Sequence, residues 1–199
     1  MRIGPRIALL AGLALLCAAG CTGGVDPAPR STTNGVTESS ASSSSSSTSP
    51  AGSASMHVES LALKYYRVAD AVSQAPQDRG ALDTVASGTE LASFQAELKD
   101  WARHGWRQTG ETEVVEVVVQ RLDLELADDE VPTAEVDVCY DVAATDVVDT
   151  DGATQVAAGR ADRGWERLTI TNAMFDENPV DGWRVADRET LEQEPCTGQ

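Results

Sequence analysis

The sequence predicts an α+β domain, with two or three N-terminal helices packed on one face of a curved antiparallel sheet. Three observations point there. Apolar residues recur at helical spacing from Val58 to Ala102, the period changes to two after Gly105, and an Asp151-Gly152 turn signal interrupts the alternating part.

The first helix is read from Met56 onward. Val58, Leu61, Ala62, Tyr65, Val68, Ala69 and Val72 fall on one side, with Glu59, Lys64, Arg67 and Asp70 largely on the other. Pro76 ends it. A short helical turn fits "RGALDTVAS". In the second helix Ser87 and Glu90 have the spacing of a capping box. Leu91, Phe94, Leu98, Trp101 and Ala102 form its buried stripe, and Gly105 is its stop.

The strands follow. "WRQTG" is a short strand or a lead-in to "VVEVVVQRLDLEL", where Leu122, Leu124 and Leu126 alternate with Asp123 and Glu125. In "TAEVDVCYDVAATDVV" Ala134, Val136, Val138, Tyr140 and Val142 share one face; Glu135, Asp137, Cys139 and Asp141 share the other. A return strand is placed at Trp165 to Asn172 and the last one in "DGWRVADRE". Asp149, Asp151 and Gly152 echo a calcium loop, but Val147 and Ala158 stand where its first and closing ligands belong, so the stretch reads as a turn.

Ahead of this domain lie two segments of other kinds. Arg2 and Arg6 precede a continuous apolar run, Ile7 to Ala19, that is shorter than the roughly 20 residues of a membrane span. Basic, apolar and small residues in that order read as a signal peptide, residues 1–20. Ala18-Ala19-Gly20 before Cys21 resembles the bacterial lipobox, with Ala18 where Leu is usual. That resemblance implies cleavage before Cys21 and a diacylglycerol on its thiol. An ordinary secretory cleavage near Ala19 or Gly20, leaving Cys21 a free thiol, is the alternative. Residues 21–55, dominated by serine, are expected to form a disordered tether with an end-to-end distance on the order of 30 Å. The folded domain is then 56–199.

Charge excludes one class of partner. The 199 residues carry 15 Lys and Arg against 32 Asp and Glu, a net charge of −17. Such a surface repels phosphate backbones and anionic headgroups, so neither nucleic acid nor a membrane held through a basic patch is expected. Membrane attachment would come through the lipid on Cys21, at the extracytoplasmic face. Two cysteines remain in the domain. Cys139 and Cys196 in an exported chain predict one disulfide. It closes a loop of about 57 residues, worth about 4 kcal/mol in the chain-entropy treatment. These cysteines with His57 and His104 show no metal-ligand spacing, and no cofactor motif is read.

The segments "HGWRQTG", "EVDVCYDVAATDVVDTDG" and "DGWRVADRETLEQEPC", following two helices, resemble a group of exported actinobacterial lipoproteins and secreted proteins. Their domain is similar to the nuclear transport factor two-like superfamily, the cone-shaped fold also seen in ketosteroid isomerases and polyketide cyclases. The resemblance runs from about Met56 to Cys196. It implies the cone fold and leaves function open, because that fold hosts enzymes, binding modules and assembly domains.

An isomerase or dehydratase in such a cone needs acid–base groups facing the cavity. The inward strand faces read above hold no carboxylate. Strict alternation backward from Leu122 turns Glu116 inward, against the wishes of Val117 and Val119, which argue for a bulge or two-sided burial. His104 could be a base, or could simply complement the helix terminus. The candidate pocket is therefore Tyr65, Trp101, His104, Glu116, Tyr140 and Trp183, with no catalytic residue assigned. This favours a non-enzymatic domain that binds a small apolar ligand or an envelope protein. A cone-fold enzyme and an accessory subunit of an envelope assembly are the alternatives.

Overall fold

The computed structural model describes residues 49–125, 127, 130–193 and 196. The expected signal, Cys21 and the tether up to residue 48 lie outside the described residues, as does Leu126.

Helix α1 spans Pro50–Gln74 and so begins inside the segment expected to be tether. The reason is local. Ser49 caps the helix, its Oγ accepting from the Gly52 N–H at 3.1 Å, and Pro50 supplies a preset φ where no N–H is needed. Ala54 is already buried. A 3-10 turn, Gly80–Thr84, leads to α2 (Gly88–His104), which ends on Gly105 in the left-handed conformation (φ 69°).

Six strands follow: β1 (Arg107–Thr109), β2 (Glu113–Asp123), β3 (Thr133–Asp141), β4 (Asp146–Val148), β5 (Arg163–Thr171) and β6 (Arg184–Leu191). The main sheet is an antiparallel meander in the order β2-β3-β5-β6, and β1 pairs with β4 in a separate ribbon. Thus β3 stops at Asp141, short of the long strand read from alternation. The Asp151-Gly152 turn closes a small hairpin behind β4 through a Val148–Thr154 bridge. There the Asp149 carboxylate accepts the N–H groups of Asp151 and Ala153, both at 2.9 Å, and the Gln155 side chain.

Helix α1 packs on β2 and β3, and α2 packs against β6. Ser87 N–H donates to Val185 at 2.8 Å and Val185 N–H to Val85 at 2.9 Å, stitching the start of α2 to the sheet. Val58, Tyr65, Leu98, Val136, Val138, Leu168, Ile170 and Val185 make one continuous core. Each such fully buried aliphatic side chain stabilises by about 1.5–3 kcal/mol.

Bulges decide which side chains reach that core. In β2 the register slips between Val114 and Glu116 and again between Val119 and Arg121. Val114, Val117, Val119 and Leu122 consequently stand opposite Tyr140, Val138, Val136 and Ala134. A third slip, where β5 meets β6 between Thr169 and Ile170, puts Arg188 opposite Leu168, on the core side.

On the other face Asp137 pairs with Arg167 at 2.7 Å and Asp141 with Arg163 at 2.6 Å. Cys139 lies there too, its sulfur joined to that of Cys196, with the Cα atoms 6.2 Å apart.

Candidate functional site

Between α1, α2 and the inner face of the sheet lies an open cleft of about 200 Å³. A polar chain runs along its floor. The Tyr65 hydroxyl donates to Glu90, and the Tyr66 hydroxyl donates to Glu166 at 2.9 Å. Arg188 stands between the two carboxylates, 3.5 Å from each, with its guanidinium 5.9 Å from the Phe94 ring centre.

Each member arrives by a simple local rule. Tyr65 and Tyr66 are adjacent in α1 and both are buried, Tyr65 reaching α2 through Glu90 and Tyr66 reaching the sheet through Glu166. Their rings meet edge to face at 5.5 Å. Glu166 shares its face with Leu168 and Ile170, two and four positions on. Glu90 was expected to close a capping box. Instead Ser87 makes no side-chain cap bond, and Glu90 turns into the core, 5% exposed, to accept from Tyr65. A buried phenol needs an acceptor more than an exposed helix start needs a cap, because water can satisfy the latter.

The mouth of the cleft is set by Asp70. Expected on the polar side of α1, it is 7% exposed. Its carboxylate accepts from Gln108 Nε2 at 2.6 Å, from the Thr112 N–H at 2.8 Å and from the Thr112 hydroxyl at 2.8 Å. It fixes the turn between β1 and β2 onto the helix. Trp101 and Tyr140 complete the walls, with Tyr140 and Tyr66 ring centres 6.2 Å apart.

The electrostatics follow from burial. Burial pushes the Tyr65 phenol far above its ordinary value, and nearby Glu90 adds to the effect against Arg188. Tyr66 shifts the same way, through burial and then Glu166; Tyr140 does so by burial and Glu166 together. Burial opposes the charge on Arg188, yet Tyr65, Glu166 and Glu90 outweigh it and hold its pKa above the ordinary guanidinium value. Both buried phenols therefore keep their protons, and the guanidinium keeps its charge. Among the described residues no buried side-chain nitrogen or oxygen lacks a partner.

Of the six residues expected to form a pocket, Tyr65, Trp101 and Tyr140 line this cleft. The others do not. Glu116 is exposed and stands opposite Cys139 on the outer face, because the slip after Val119 reverses the alternation counted back from Leu122. His104 is exposed at the end of α2, with Nδ1 2.9 Å from the Asp100 carbonyl and its ring stacked on Trp106 at 4.9 Å. Trp183 is buried elsewhere, its Nε1–H donating to Pro179 at 3.0 Å and its ring against Phe175. The inward faces also hold carboxylates after all: Glu166 from the sheet and Glu90 from α2. Period two in "WERLTI" was the available signal for Glu166.

No protein-family model and no curated protein matches the chain. Among solved structures it is similar to the crystal structure of the intermembrane space region of chloroplast protein ARC6, at a TM-score of 0.47 and 15% identity over 68% of this chain and 95% of that one. It is also similar to a periplasmic fragment of TraM, at a TM-score of 0.40 and 10% identity over 69% of this chain and 94% of that one.

Proposed function

We propose that this chain is a lipid-tethered recognition domain at the extracytoplasmic face of the membrane, built on a nuclear transport factor two-like cone, and that it binds without catalysing. The lipid is expected on Cys21, after the run of basic, apolar and small residues. Among the described residues no helix is long and apolar enough to cross a membrane.

One observation carries the non-catalytic reading. Tyr65 and Tyr66 direct their hydroxyl protons onto Glu90 and Glu166, and Arg188 stands against both carboxylates. A general base needs a free lone pair within reach of substrate, and here the two carboxylates on the cleft floor, Glu90 and Glu166, are already engaged, which leaves only Glu97 at the solvent-open rim. An isomerase or dehydratase is therefore the weaker reading. The cleft's size matters as well. At about 200 Å³ it is below the roughly 300–1,000 Å³ of typical small-molecule pockets, and suits one side chain or a ligand of similar bulk. Its polar floor argues against the wholly apolar ligand expected from the strands. The accessory-subunit alternative differs only in whether the captured group belongs to another protein.

Two measurements test this. In cell fractionation the full-length chain should partition with membranes and a Cys21→Ala variant should not; a variant that stays membrane-bound overturns the anchor. In a nuclear magnetic resonance titration of the full-length chain with small-fragment mixtures, perturbed signals should cluster at Tyr66, Trp101 and Tyr140. Saturable binding only elsewhere on the domain, or none, overturns the cleft as the recognition site.

A further inference from the structure

The cleft holds more acid than it neutralises. Asp70, Glu97 and Glu166 line it, Glu90 stands behind Arg188, and Arg188 is the one cation among the described lining residues. Four carboxylates thus face a single guanidinium. Asp70 is fully occupied by Gln108 and Thr112, but Glu97 at the rim has no hydrogen-bond partner among the described residues. Burial raises the pKa of Glu97, with Arg188 opposing and Glu90 adding, as expected of an acid without a close counter-charge.

Tyr65, Tyr66, Phe94, Trp101 and Tyr140 give the cleft an aromatic share of its walls. A cation is attracted to the face of such rings when it comes within about 6 Å of a ring centre, and the attraction grows as water is excluded. The chain already uses this chemistry once, in Arg188 over Phe94 at 5.9 Å. An anion in the same cleft would meet Glu97 and Glu166 at short range, so the field selects against it.

Resting on the recognition role proposed above, we infer that the cleft captures a small organic cation, an alkylammonium or guanidinium group, against Trp101, Tyr66 and Tyr140 with Glu97 and Glu166 as counter-charges. Such a group could come from a free amine or from a lysine or arginine side chain of another protein. The chemistry is the same, and the experiment separates the two.

The full-length chain, in dodecyl maltoside so that the detergent carries no cation, is titrated with choline while the Trp101 indole and Thr112 amide signals are followed. Its uncharged isostere, 3,3-dimethylbutan-1-ol, is titrated in parallel. Choline should bind saturably and at least about tenfold more tightly than the isostere. Glu97→Gln, at the cleft rim where the side chain makes no hydrogen bond among the described residues, should weaken choline about three- to tenfold and leave the isostere unchanged. Butylamine and a lysine-containing tripeptide then separate the sources: tighter binding of the peptide assigns the group to a protein partner, equal binding to a free amine. An isostere that binds as tightly as choline overturns the cation inference while leaving the cleft as a recognition site. Absence of any shift with every probe and fragment overturns both.

Discussion

Tyr66 and Glu166 are 100 residues apart in the chain, yet the phenol donates to the carboxylate at 2.9 Å in the buried centre of the domain. This bond joins the first helix to the third strand of the meander. Tyr65 makes the matching bond to Glu90 in the second helix, so neighbouring tyrosines tie α1 to the sheet and to α2.

Those phenols predict alkaline instability. Their folded-state pKa values lie above the unfolded value of 10.0, so the unfolded chain releases these protons first. The stabilisation is complete below about pH 10 and is lost as pH rises, by about 1.4 kcal/mol per pH unit for each phenol. Urea unfolding followed from about pH 9 to 12 should show a slope that passes about one proton near pH 10 and approaches two above about pH 11, to which Tyr140 adds. Tyr66→Phe should reduce that slope by about one proton. An unchanged slope would mean that the phenol is not protected by the fold.

Arg188 carries the opposite risk. Removing it as Arg188→Leu leaves Glu90 and Glu166 without their cation. Breaking a buried pair costs about 3–5 kcal/mol, and because a third of the Arg188 side chain (33%) is open to water we expect about 2–3 kcal/mol. Adding Glu166→Gln should recover part of the loss, since one uncompensated charge goes with it. Equal and additive losses in the double variant would show that the two side chains do not act as a pair.

Much of the fold was legible from period alone, and the site was not, for one physical reason. Helix stripes at Val58, Leu61 and Tyr65, and alternation at Ala134, Val136 and Val138, survive as read because nothing interrupts them. A bulge inserts one residue and flips every side chain beyond it. That flip turned Glu116 out to solvent and Arg188 to the cleft side of the sheet; Val117 and Val119 pointed to the first slip without fixing its place, and no residue type marks the second. Glu90 and Asp70 were missed differently. Both fit local roles, a cap and a solvated face, until distant partners outcompeted them: Tyr65 for one, Gln108 and Thr112 for the other. The helix start was recoverable, since Ser49-Pro50 is a capping signature set within a serine run that composition marks as tether.

Asp141 predicts an acid limb. The Ala143 N–H and the Arg163 guanidinium hold its carboxyl below the ordinary range. A depressed folded-state value means a contribution present above about pH 4 and lost as pH falls through the folded value. Asp141→Asn should therefore be less stable than the parent at neutral pH and lose less on acidification to about pH 2. Parallel acid profiles for the two proteins would contradict the assignment.

The final prediction concerns the covalent link between Cys139 and Cys196. Cys139 lies opposite Trp165 in β5, on the outer face that also bears Asp137 with Arg167 and Asp141 with Arg163. Cys196 is thereby held on that face, and its carbonyl also accepts from Arg163 Nη1 at 3.3 Å. Reduction should lower stability by up to about 4 kcal/mol, since the cross-link acts chiefly by restricting the unfolded chain across a separation of 57 residues. The folded domain should persist, held by its separate core. Resonances of Trp165 on the outer face should shift on reduction, while those of the Trp101 indole in the cleft should not. A Trp101 shift comparable to that of Trp165 would show that the two faces of the sheet are coupled, and that the disulfide shapes the recognition site as well as the tail.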